Sequence, residues 1–270
     1  MLVLWLALAC GGPKDDPSDT DTRDEFILDH TPIDPHVPVV PIGDWVTEGF
    51  EDRALVWYIP PNPRAVIYVF HGTDGVAGDA KLIETVSILN EMIKIDFGFV
   101  AGTCDDAYRW DKESTGDDNA DFMRLSRIRD YVMGQSDWDE DTPIYAFGFS
   151  NGAQFTAHFA EHALEEGWPM RAISAHNGDP RKVPAPMLFV EAENDITANA
   201  GAIADTRAEA ADSEFDYEEY LALEVPLDPM RFLRVPGFTE EKSQFTFDEL
   251  LSMGHIEADG TRITATENID

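Results

Sequence analysis

Hydrophobic residues in this chain fall into two alternating kinds of run. "RAVIYVF" at 64–70, "FGFVAG" at 97–102 and "PIYAFGF" at 143–149 are unbroken β-branched and aromatic stretches, the pattern of strands covered on both faces. Between them, apolar residues recur every three or four positions. Leu82, Ile83, Val86, Leu89 and Ile93 predict a helix over 79–94, and Phe122, Leu125, Ile128 and Val132 predict one over 119–133. A further helix is expected at 151–166, then extended segments at "RAISA" and "APMLFVEA". Two short strands precede the series, in "WVTEGFEDRALVWYIP". Strands alternating with helices predict an α/β fold: a mostly parallel sheet joined by right-handed crossovers, with helices on both faces.

The ends follow another pattern. Residues 1–10, "MLVLWLALAC", are apolar but too short to span a bilayer, and resemble the end of a bacterial lipoprotein signal whose Cys10 would carry lipid. Residues 11–41 are Pro-rich and acidic, as a tether would be. The expectation is a domain over 42–270 held at the cell envelope by a lipid anchor. Its C-terminal part, 205–270, is less regular, and the acidic stretch 205–220 reads as a solvated helix or part of a cap. "TEEKSQFTFDELLSM" reads as an amphipathic helix stopped by Gly254.

Charge narrows the class of partner. With 53 Asp and Glu against 19 Lys and Arg, the net charge is −34, a field that repels nucleic acid and anionic lipid. Two cysteines, Cys10 and Cys104, allow neither a disulfide framework nor a multi-cysteine zinc site.

Two catalytic patterns overlap in "YAFGFSNGAQFTAHFAEHA". Gly148-Phe149-Ser150-Asn151-Gly152 fits G-x-S-x-G, and it stands between a predicted strand and a predicted helix, the context a nucleophile elbow requires. His158 and His162 fit H-x-x-E-H, a zinc pattern. If Ser150 tops the strand, however, these histidines lie two to three turns down the helix, away from the open sheet edge. The serine reading is preferred, and no metal or other cofactor is expected.

A nucleophilic serine needs a base and an acid that orients it. On this fold the chain order is Ser, acid, His. Asp195, just after the strand "PMLFVEA", is the preferred acid, with Asp179, Asp205 and Asp228 as rivals. His255 is the one histidine that follows Asp195. The oxyanion donors expected are the backbone amides of Asn151 and of Thr73, in the loop "VFHGTDG". His71 in that loop is expected to pack and hydrogen-bond. Tyr108 and Trp110 are candidates to line a substrate pocket.

These residues resemble α/β-hydrolases of the polyhydroxybutyrate depolymerase and feruloyl esterase type. The likeness runs from "RAVIYVFHGTDG" through "FGFVAGTCDDAYRWD", "NADFMRLSRIRDYV" and "PIYAFGFSNGAQFTAHFA" to "APMLFVEAENDI", about residues 64–196. It implies hydrolysis of small or polymeric esters outside the cytoplasm, without a cofactor. "SMGHIEADG" departs from the family, lacking the tryptophan that usually accompanies its histidine. An alternative is therefore a hydrolase-fold envelope protein without catalysis, binding a sugar or a protein partner.

Overall fold

The computed structural model describes residues 34, 36–106, 108–178, 181, 183–192, 208, 217–222 and 225–263. They form two compact units, one within Pro41–Ala222 and one made of Asp29–Val40 with Leu223–Asp270.

The first unit is built on an eight-stranded sheet. Its strands are β1 (Val46–Phe50), β2 (Arg53–Tyr58), β3 (Ala65–Phe70), β4 (Phe97–Gly102), β5 (Ile144–Phe149), β6 (Met170–His176), β7 (Met187–Ala192) and β8 (Tyr217–Ala222). The spatial order is β1-β2-β4-β3-β5-β6-β7-β8. β2 pairs antiparallel with both β1 and β4, and every pairing from β4 to β8 is parallel. The unbroken apolar runs are the central strands, and β3 and β4 are buried at every position.

Alternation divides each strand between two cores. Tyr68 and Phe70 point to one face, packed with Phe122, Leu125 and Ile128 of α2 (Ala120–Met133) and Phe155 and Phe159 of α3 (Asn151–Glu165). Ile67, Val69, Tyr145 and Phe147 point to the other, against Leu89 and Met92 of α1 (Ile83–Ile93). Asn119 caps α2, its side-chain oxygen accepting from the Phe122 amide at 3.1 Å.

Two expectations are revised. The helix expected over 79–94 is interrupted: a 3-10 turn spans Ala77–Lys81, and Leu82 is extended (φ −63°, ψ 143°) before α1 begins. In the acidic stretch 205–220, the final residues form no helix. Tyr217 begins β8, paired with Met187 of β7.

In the second unit, a 3-10 turn at Pro229–Arg234 precedes α4 (Glu240–Ser252). Thr239 caps α4 by accepting from the Lys242 amide, and Gly254 (φ 75°) ends it as expected.

Candidate functional site

Ser150 lies between β5 and α3 with φ 52° and ψ −120°, a conformation seldom adopted by a residue with a Cβ. It is held there by the protein around it. Its amide donates to the carbonyl of His176 on β6 at 2.9 Å, and its carbonyl accepts from Gln154 at 3.1 Å. The turn is tight enough to dictate both flanking glycines. A Cβ at 148 would collide with the backbone of Gly152, and one at 152 with the carbonyls of Phe70 and His71. Ser150 itself is exposed, so the strained turn lifts the hydroxyl out of the sheet edge.

Asn151 opens α3. As the first residue of the helix, its amide has no carbonyl a turn earlier to bond, and it sits at the positive end of the helix dipole. Its buried side chain accepts from the Trp110 amide at 2.7 Å. Facing the elbow is the loop after β3, pinned on either side of Thr73. The His71 carbonyl accepts from the Trp110 indole N–H at 3.0 Å, and the Asp74 amide donates to the Tyr108 carbonyl at 2.7 Å.

Those partners all come from the loop between β4 and α2. Trp110 is 1% exposed, its ring packed against Phe70, His71 and Phe155. Tyr108 is half exposed. This loop is gathered in turn by Asp121, in the first turn of α2 and 2% exposed. One carboxylate oxygen accepts from the Asp105 amide at 2.6 Å and the other from the Asp111 amide at 2.7 Å. Burial pushes the Asp121 carboxyl up to about 6 against the pull of those two amides, and the nearby charges of Asp105 and Asp106 add to the rise.

Two histidines adjoin the elbow, and neither is free to act as a base. His71 is buried, with Nδ1 donating to the Gly72 carbonyl at 2.7 Å and Nε2 accepting from the Cys104 amide at 3.2 Å. Burial holds it below the usual histidine value. It packs and hydrogen-bonds, as its sequence context suggested. His176 ends β6 with Nε2 3.0 Å from the Ser174 hydroxyl and its ring among Phe147 and Phe149. Burial lowers it to about 4, too low to take a proton at neutral pH.

The zinc-pattern histidines have dissimilar surroundings. His162 stacks flat on Phe122, with ring centroids 4.4 Å apart, and meets Trp168 edge-on. His158 is lowered to about 4 by burial and by the positive charges of Arg181 and Lys112. Those cations also disfavour a metal ion there. Among the described residues, no group of three or more metal-ligating side chains converges.

His255 belongs to the second unit, exposed and just after α4, its amide donating to the Leu250 carbonyl at 2.9 Å. In the same unit, the rival acid Asp228 is engaged by the Met230 amide at 2.8 Å and by His36 at 2.7 Å, and both hold its carboxyl below the usual range. Asp195, Asp179, Asp205 and Cys10 lie outside the described residues.

Sequence reasoning missed two supports of the site. Asn177 (φ 52°) turns the chain after β6, its side chain accepting from the Ala192 amide at 2.9 Å, and Gly178 lies against the Ser150 carbonyl. An Asn-Gly pair straight after a strand was the available signal. Asp121 had none, being one of many carboxylates.

No protein-family model matches the chain, and no curated protein matches it. Among solved structures, it is similar to the fluorophosphonate-binding serine hydrolase FphF of Staphylococcus aureus. The TM-score is 0.53 at 10% identity, covering 69% of this chain and 93% of that one. It is also similar to the S-formylglutathione hydrolase FrmB of the same organism, with a TM-score of 0.52 at 10% identity, covering 67% of this chain and 92% of that one. At such identities the likeness is one of fold.

Proposed function

On the α/β-hydrolase fold that this chain adopts, we propose a serine hydrolase that cleaves carboxylic esters through an acyl intermediate on Ser150. The observation that carries the reading is the strained, exposed Ser150 between β5 and α3, beside the first amide of a helix. That backbone conformation costs stability.

In this reading His255 takes the Ser150 proton as Oγ attacks the ester carbonyl, and Asp195 orients and balances the imidazolium. The amides of Asn151 and Thr73 hold the oxyanion, each contributing roughly 3 kcal/mol to the barrier reduction. The alcohol leaves with the proton from His255; water, activated by the same histidine, then releases the acid. Chain order supports the two partners, and the histidines adjoining the elbow, His71 and His176, are hydrogen-bonded elsewhere. Tyr108, exposed on the loop that braces the oxyanion segment, would meet the substrate. Lipidation of Cys10 at the cell envelope belongs to the same proposal; Cys10→Ala should release the protein from the membrane fraction.

Labelling by a fluorophosphonate tests the chemistry. Wild type should label, Ser150→Ala should not, and His255→Ala should label at least a hundredfold more slowly. Wild type that stays unlabelled at low and high salt would leave a binding scaffold as the better reading.

A further inference from the structure

A cavity of about 210 Å³ lies under the loop that follows β3. Its walls come from five elements: Val69 of β3, Ala101 of β4, Ala77 and Ala80 of the 3-10 turn, Thr85 of α1 and Phe149 at the end of β5. Gly72 completes it on the side of the nucleophile. A Cβ on Gly72 would stand 3.4 Å from the Ser150 Cβ and 4.0 Å from its Oγ, ordinary contact distances, so this wall of the cavity adjoins the nucleophile.

The size of the space is set by alanines. Ala77, Ala80 and Ala101 are each 2% exposed or less, yet none fills the volume before it. A dry apolar cavity of about 150 Å³ admits benzene, so the space here suits a six-carbon ring with a short extension or a chain of about six to eight carbons. Charge sets the chemistry of the occupant. Among the described residues, the lining holds the carboxylates of Asp79 and Glu84 and no Lys or Arg, so an anionic tail would be repelled while a neutral hydrocarbon would gain from burial.

The geometry points to this cavity as the acyl-binding pocket of the proposed hydrolase, selecting neutral esters with an apolar acyl group of about six to eight carbons. The inference rests on the ester-hydrolase reading. A space adjoining Gly72 suits the portion that stays bonded to Ser150 until water arrives, whereas the alcohol must depart.

The test varies the ester on either side of the scissile bond. With a fixed p-nitrophenol leaving group, hexanoyl and octanoyl esters should exceed acetyl in kcat/KM by tenfold or more, and succinyl should fall at least tenfold below hexanoyl. Ala80→Phe, and separately the milder Ala101→Val, should lower the hexanoyl-to-acetyl ratio, by tenfold or more in Ala80→Phe. Varying the alcohol of acetyl esters should leave the effect of Ala80→Phe on kcat/KM constant. Ratios unmoved in both variants, or a chain-length effect confined to the alcohol, would overturn the pocket assignment.

Ligand-observed NMR with hexanamide separates this failure from failure of catalysis itself. If wild type cleaves no ester but Ser150→Ala binds hexanamide and Ser150→Ala/Ala80→Phe does not, the hydrolase reading falls and the apolar pocket stands. If hexanamide fails to bind while esters are cleaved without chain preference, the pocket falls alone.

Discussion

Strain at Ser150 belongs to the position and not to the hydroxyl. A conformation of this kind costs of order 1–3 kcal/mol, and glycine would escape most of it at some cost in unfolded-state entropy. Ser150→Gly should therefore be more stable than Ser150→Ala by about 1 kcal/mol in urea unfolding, with both inactive. Gly152→Ala should do the reverse. Its methyl must displace the backbone of Phe70 and His71, so we expect a loss above about 2 kcal/mol and little fluorophosphonate labelling. The strain at Ser150 was legible in five consecutive letters, because strand, turn and helix are contiguous in the chain, whereas the Gly152 contact reaches across to the end of β3. His255 was reached by order alone, and order says nothing of distance.

Among elements, the loop between β4 and α2 does more than its sequence suggests. Its hydrogen bonds join Asp105 to a residue 16 positions away and Trp110 to one 41 positions away. No pattern within a window of the chain can announce such pairs. The same limit hid β8, whose tyrosines and carboxylates lack the apolar run that marked the central strands. It also hid the break at Leu82, where helical spacing continues through a residue that is extended in the fold.

Asp121 is where the loop's order is most open to test. Its carboxyl is raised above the unfolded value, so the fold favours the protonated form. The stability it contributes is present below about pH 4 and is lost as pH rises toward about 6, by at most about 3 kcal/mol. The stability difference between wild type and Asp121→Asn, from urea unfolding at a series of pH values, should fall over that window. At neutral pH the asparagine can accept only through its carbonyl oxygen, so one of the two loop amides loses its carboxylate acceptor. Because that loop pins the Thr73 segment, an oxyanion donor in the proposed mechanism, kcat should drop about tenfold with a smaller change in KM.

For the whole molecule, a net charge of −34 means self-repulsion that folding must overcome. Raising sodium chloride from about 0.05 to 1 M shortens the screening length to about 3 Å and should raise the urea midpoint. Composition made that plain at the outset. How the acidic C-terminal stretch divides between the sheet and the second unit was not readable, because charge-rich segments carry little periodicity.

The two outer strands of the described sheet show where some of that charge is spent. β1 carries Glu48, and β8 carries Glu218 and Glu219 side by side. Another copy that laid its own outer strand alongside β8 would bring carboxylates within a few ångströms of one another. The sheet therefore resists growing from molecule to molecule. A chain whose central strands are among the most aggregation-prone kinds of sequence can in this way be kept at high concentration without polymerising through its edges.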